Sequence, residues 1–141
     1  MATGHKRFSG WVQKICVGTE IKSQGIIEHK DMINYEDFEK IDIRVGRILE
    51  IKDFPEGTYS THIIKIDFGS EIGVKTSLAK LAPNYQGPEL IGKEIIGVVN
   101  LEPKQIGKYL SEVLTLGLAD DAGNVVLLHP EKDVPIGGKM Y

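Results

Sequence analysis

The sequence predicts an all-β chain: a small, closed five-stranded barrel with short flanking helices. Three observations predict it. The first long segment, from residue 41, alternates apolar and polar residues with period two and carries a glycine at its middle. Further short apolar runs follow, separated by turn-forming Gly, Pro, Asp and Asn. A Pro/Gly-marked connection separates the third run from the fourth, with Pro83, Gly87 and Pro88.

Residues 1–31 read differently from the rest. They hold scattered glycines, the only Trp and one short strand expected over residues 11–17. They are expected to be an N-terminal extension or tag of unknown role, or an added hairpin or arm at a subunit contact, with residues 32–141 as the domain. A short helix is expected next. Asn34 can cap it, Glu36 and Asp37 place negative charge in its first turn, and Ile33 and Phe38 stand at staple spacing.

In the first strand, Ile41, Ile43, Val45, Leu49 and Ile51 fall on one face and Asp42, Arg44, Glu50 and Lys52 on the other. Gly46 is placed for a bend or bulge, with Arg47 interrupting the apolar face beside it. A second strand over residues 61–68 points Ile64, Ile66 and Phe68 inward. A third over residues 72–77 is expected to put Ile72 and Val74 on the core side and Lys75 and Ser77 opposite. One helical turn is expected near residues 77–81. Two apolar strands follow, residues 93–101 and 113–118, joined by a polar connector over 102–108. A tight turn at 120–124 leads into a last strand over 125–128. Five or six short strands, a long curled first strand and a helix between the third and fourth describe a barrel of the OB type. A sandwich needs more strands and a shorter first one.

The totals exclude several classes. No run reaches the ~18 apolar residues of a membrane-spanning helix, and the first 30 residues lack the apolar core of a signal peptide. The single Cys16 gives no disulfide framework, and the four histidines (5, 29, 62 and 129) stand far apart without Cys partners. A cytoplasmic protein without a metal or other cofactor is the expectation. The net charge is −3, with +2 on residues 1–31 and −5 on residues 32–141. Any nucleic-acid contact must therefore come from a local basic patch working against the field of the whole chain.

Catalytic signatures fail on inspection. Residues 87–93 have Walker A spacing, but Glu94 stands where Ser or Thr should meet Mg²⁺, and a strand follows instead of a helix. Asp67-Phe68-Gly69 lacks every other kinase element. No G-x-S-x-G motif occurs, and Ser77 and Ser111 have no histidine at motif spacing. The chain is read as non-catalytic.

What remains is a platform of polar and basic side chains at strand ends and loops: Arg44, Lys75, Ser77, Lys80, Asn100, Lys104, Gln105, Lys108, Ser111 and Glu112. Such a set on a rigid barrel suits RNA. Asn100, ending an apolar strand, must satisfy backbone groups or read a ligand. Aromatic residues for base stacking are sparse, with Tyr59, Tyr85 and Tyr109 in loops.

The blocks DIRVGRILEI (42–51), IDFG (66–69), GVKTS (73–77), GVVNLEPKQIG (97–107) and LSEVLTLGL (110–118) together resemble the tRNA-binding domain family. This is the OB-fold module at the C-terminus of methionyl-tRNA synthetases and in free-standing tRNA-binding proteins. The match around PKQIG and SEVL, with the DDAGNVVLLHP ending, is most similar to the CsaA branch of export-related chaperones. The resemblance covers residues 33–141. It implies an OB barrel, a homodimer held through the terminal parts of the domain, and both tRNA-binding and peptide-binding activities. It places RNA-facing positions on Arg44, Lys75, Ser77, Asn100, Lys104, Ser111 and Glu112. Thr76 stands where CsaA proteins more often carry a basic residue. Two expectations follow: a dimeric, non-catalytic tRNA-binding protein, and, as its rival, a chaperone holding unfolded or export-bound polypeptides in a dimer groove.

Overall fold

The computed structural model describes residues 29–141. The strand expected over residues 11–17, Cys16 and His5 lie outside the described residues. Helix α1 (Tyr35–Glu39) leads into β1 (Ile43–Asp53), β2 (His62–Asp67) and β3 (Val74–Ala79), then a 3₁₀ turn (Pro88–Leu90) and β4 (Glu94–Val98). The short strands β5 (Lys104–Ile106), β6 (Tyr109–Ser111), β7 (Leu114–Thr115), β8 (Gly117–Ala119) and β9 (Val125–Leu127) complete the chain. The main sheet has five antiparallel strands in the order β3-β2-β1-β4-β7, and it curls until β3 approaches β7; β5–β6 and β8–β9 are separate hairpins. The expected fold class is the observed one: an all-β, nearly closed barrel. Among the described residues α1 is the only α-helix, so the flanking helices reduce to it and the 3₁₀ turn.

Asn34 caps α1 as expected, its Oδ1 accepting from Asp37 N at 2.9 Å. A helix of five residues cannot sustain itself. Ile33 is exposed and no staple holds it. The helix is instead tied to the barrel through the backbone that follows it.

The barrel interior follows from register, because residues directly opposed on antiparallel strands share a face. Ile48 faces Ile66 across β1–β2, Gly46 faces Ile95 across β1–β4, and Ile64 faces Ser77 across β2–β3. Ile48, Ile64, Ile66, Phe68 and Ile95 fill the interior, and Leu81, Leu90, Val125 and Leu127 close one end. Each fully buried Ile, Leu or Phe contributes roughly 1.5–3 kcal/mol by leaving water. A second, smaller cluster of Phe54, Ile63 and Leu78 lies on the outer face of the sheet, where Ile106 and Tyr109 of the β5–β6 hairpin cover it.

Several details differ from the sequence expectation. The register slips between Ile48 and Glu50 rather than at Gly46. Gly46 serves close packing: a Cβ there would stand 2.5 Å from Ile66 Cγ2 and 2.8 Å from Phe68 Cε1. The expected single face over Ile43, Val45, Leu49 and Ile51 is not formed. Gly46 and Ile48 face the interior, and Ile43, Val45 and Leu49 the opposite side, where Leu49 is exposed. Only the bulge turns Ile51 toward Ile64. Ile41, which precedes the strand, is also exposed. On β3 the faces are inverted: Val74 is exposed, whereas Ser77 is wholly buried. β3 runs on to Ala79 with no helical turn at 77–81. The segment over 102–111 holds a hairpin, and the strand expected over 113–118 is split into β7 and β8.

Gly46→Ala is expected to destabilise the barrel by about 1–3 kcal/mol through overpacking. Val74→Thr on the exposed face should change stability by no more than about 0.5 kcal/mol. Urea denaturation of both variants checks the contrast; equal stability would mean that Phe68 and Ile66 do not occupy the place a methyl needs.

Candidate nucleic-acid interface

Three bonds and a hydroxyl pair close the barrel where backbone pairing runs out. Glu112 N donates to Thr76 O at 2.7 Å, and Thr76 N donates back to Glu112 Oε1 at 2.9 Å. Leu78 N donates to Ser111 Oγ at 3.1 Å. Ser77 Oγ meets Thr115 Oγ1 at 2.9 Å inside the barrel. The edge of β3 is thus capped largely by side chains of the segment Ser111–Thr115, which an unpaired buried edge requires.

This seam gathers much of the residue set singled out in the sequence. Lys75 faces Glu112, Nζ to Oε2 4.0 Å, with both side chains about one-third exposed. Lys104 pairs with Ser111 across the β5–β6 hairpin, and Gln105 pairs with Leu110 on the hairpin's outward face. Gln105 Nε2 donates to Gly107 O at 2.8 Å, bracing the turn. Lys108 sits at the turn, its Nζ 5.7 Å from the Tyr109 ring centroid. Lys75, Lys104, Ser111 and Glu112 therefore meet at the seam, Lys75 from the inward face of β3 opposite Ile66, while Gln105 and Lys108 lie farther along the hairpin. Ser77 and Ser111 are fully buried, and their hydroxyls serve the seam.

Arg44 and Asn100 form a second group, at the start of β1. Arg44 Nε donates to Asp42 Oδ1 at 2.6 Å, and its Nη1 donates to Gly137 O at 3.0 Å. Glu71 Oε1 stands 3.6 Å from the same Nη1. The hydrogen bond to Asp42 raises the guanidinium pKa above its ordinary value against the opposing effect of burial. Asn100 Oδ1 accepts from Asp42 N at 2.9 Å, while its Nδ2 donates to Lys40 O at 2.7 Å. Asn100 thus satisfies backbone groups, one of the two roles its position allowed. This cluster ties together α1, β1, β4 and the C-terminal segment, whose Gly137 and Gly138 pair with Val45.

The facing of β2 brings in one residue that the sequence reading left out of the site. Lys65 is exposed and lies opposite Thr76, next to the seam. Its outward alternation was the available signal; its neighbourhood depends on register. Among the described residues no group of three His, Cys, Asp or Glu side chains could hold a metal ion.

A nearly closed five-stranded barrel with lysines around its seam and on the neighbouring hairpin is compatible with an oligonucleotide-binding module. Residues 43–139 match the family described as "Putative tRNA binding domain", and the chain belongs to that family. It is 42% identical over 123 residues to the methionine–tRNA ligase of Pyrococcus horikoshii, which covers 86% of this chain and 16% of that enzyme. The chain therefore spans about one-sixth of the length of that relative. The solved CsaA chaperone of Bacillus anthracis is similar at 39% identity and a TM-score of 0.73, covering 79% of this chain and all of that one. The CsaA chaperone of Picrophilus torridus is similar at 48% identity and a TM-score of 0.72, over 78% of this chain and all of that one. The matched family is a tRNA-binding module, and in the ligases the matching part is a small fraction of the enzyme.

Removing the Ser111 hydroxyl leaves the Leu78 N–H buried without its acceptor, so Ser111→Ala is expected to cost about 1–3 kcal/mol. Asn100→Ala, at an exposed site, should cost about 1 kcal/mol. Thermal unfolding of the two variants checks the order; a larger loss for Asn100→Ala would contradict it.

Proposed function

We propose that this chain is a non-catalytic tRNA-binding protein of the CsaA type that works in the cytoplasm as a homodimer, with residues 32–141 as the working unit. One observation carries the reading: Lys75 and Lys104 flank the β3 seam, with Lys108 at the hairpin turn and Lys65 on the outer face of the neighbouring strand, on a barrel of the tRNA-binding family. Lysines act on phosphate as mobile point charges, so they position RNA and set affinity more than sequence choice. Gln105, on the outward hairpin face, can add a neutral hydrogen bond. Ser77, Ser111 and Glu112 act by holding the wall in shape, and Glu112 also sets the position of Lys75. Arg44 and Asn100 act at a distance by fixing the ends of β1 and β4.

The homodimer reading rests on exposed apolar residues around the start of β1. Ile41, Leu101 and Met140 are each more than one-third exposed. Asn100, the neighbour of Leu101, bonds the backbone on both sides of Ile41, and Met140 N bonds Ile43 O. Covering such a patch is a reason to pair. Two walls on one dimer raise the effective concentration of the second contact. Met140→Glu together with Ile41→Glu is expected to give monomers by sedimentation while the circular dichroism stays unchanged; an unchanged sedimentation coefficient would refute this face.

The rival reading, a chaperone holding unfolded or export-bound polypeptides, is supported by the full-length similarity to CsaA chaperone structures. Salt separates the two. With about four lysine–phosphate contacts, log affinity for tRNA should fall against log salt with a slope of about −3. Lys104→Ala/Lys108→Ala should bring the slope to about −1.5 and weaken all tRNAs alike. Gel-shift titration at several salt concentrations checks this; a slope near zero, or salt-insensitive binding of an apolar peptide that tRNA does not displace, would favour the chaperone.

A further inference from the structure

Beside the seam-side hairpin lies an open pocket of about 380 Å³, walled by Asp53, Phe54 and Pro55 on one side and Ala82, Tyr85 and Gln86 on the other. Its size falls in the range of small-ligand sites. His62, almost fully buried, forms its floor. Thr61 Oγ1 accepts from Leu81 N at 2.8 Å and Ala82 N at 3.1 Å, which commits its own hydrogen to His62 Nδ1 at 2.8 Å. The imidazole therefore carries its proton on Nε2, which donates to Gln86 O at 3.0 Å. The same Nε2 stands 3.3 Å from Asp53 Oδ1. The buried, doubly held imidazole thus lies beside a carboxylate whose side chain remains 83% exposed. Glu89, accepting from Gln86 N at 2.8 Å and Gly87 N at 2.9 Å, fixes the loop that supplies the Gln86 carbonyl.

The lining has a carboxylate and no cation. It repels phosphate and selects a ligand that donates hydrogen bonds. Exposed Pro55 and half-buried Tyr85 offer apolar surface for a flat ring. The pocket also adjoins the proposed RNA wall: the Phe54 ring lies 5.6 Å from the Tyr109 ring, over which Lys108 stands. We infer that this pocket receives one unpaired base of the bound RNA and prefers guanine, whose adjacent N1–H and N2–H₂ donors can meet the Asp53 carboxylate with two parallel bonds. Uracil offers a single N–H flanked by two carbonyl oxygens, which the carboxylate repels. The inference rests on the RNA-binding reading and adds a base preference to it.

The test uses the full chain and two single-stranded RNAs, UUUGUUU and UUUUUUU, titrated by fluorescence anisotropy at fixed low salt. A bidentate side-chain contact to a base edge discriminates against bases that cannot form it. At this exposed site the expected preference for the guanine-bearing strand is about fivefold to tenfold, and Asp53→Asn should abolish it by weakening UUUGUUU, with UUUUUUU bound at least as well as before. Equal binding of both strands, both weakened by Lys104→Ala/Lys108→Ala and neither by Asp53→Asn, would overturn the pocket and leave the RNA wall standing. Failure of both strands to bind, with unfractionated tRNA still bound, would overturn the pocket alone, and failure of tRNA to bind as well would overturn both. Displacement by the tripeptide Gly-Arg-Gly that depends on Asp53, with no guanine preference, would assign the pocket to a basic polypeptide side chain and overturn the inference.

Discussion

The barrel depends on how β3 meets the segment after the β5–β6 hairpin. A five-stranded sheet leaves two edges, and here the β3 edge is met by few backbone bonds. The Glu112 carboxylate and the Ser111 hydroxyl supply acceptors for Thr76 and Leu78, and the Ser77–Thr115 hydroxyl pair closes the inside. Polar side chains buried there are stabilising only because every one has a partner; among the described residues no buried side-chain polar atom lacks one. The same closure brings Lys75 and Lys104 to the seam, with Lys108 at the turn of the adjoining hairpin. Fold and site thus share one set of residues, and a change that opens the seam disperses the cations.

In the proposed reading, that sharing is how an acidic chain presents a surface to RNA. With −5 on residues 32–141, long-range attraction is absent. Contacts must be local, and local contacts need positions held to within a hydrogen bond's tolerance. Glu112 illustrates the compromise: one oxygen holds the Thr76 amide, and the other stands 4.0 Å from Lys75. The pair keeps Lys75 oriented at the expense of part of its field.

Much of the barrel was legible in the sequence because period-two alternation, Gly/Pro punctuation and the Asn34 cap are local signals. Ile64, Ile66 and Phe68 were read inward and are buried. The facing of β3 was not legible: Val74 and Ser77 occupy faces set by pairing with Asp67 and Ile64, and residue type favoured the reverse. Gly46 was recognised as special, yet its role is steric, against Phe68, which lies about twenty residues away. The site was legible as a list of residue types, and its division into a seam wall and an Asp42-centred cluster was not. Arg44 and Asn100 are bound to partners distant in sequence, Gly137 and Lys40, which no spacing rule connects.

The most direct test of the account is the amide chemical-shift map of the full chain titrated with unfractionated tRNA. The account predicts perturbations concentrated at Lys65, Lys75 and Thr76 and along 104–112, with residues 42–44 and Asn100 little changed. Perturbations confined to the start of β1 and the C-terminal segment, leaving the hairpin untouched, would contradict it.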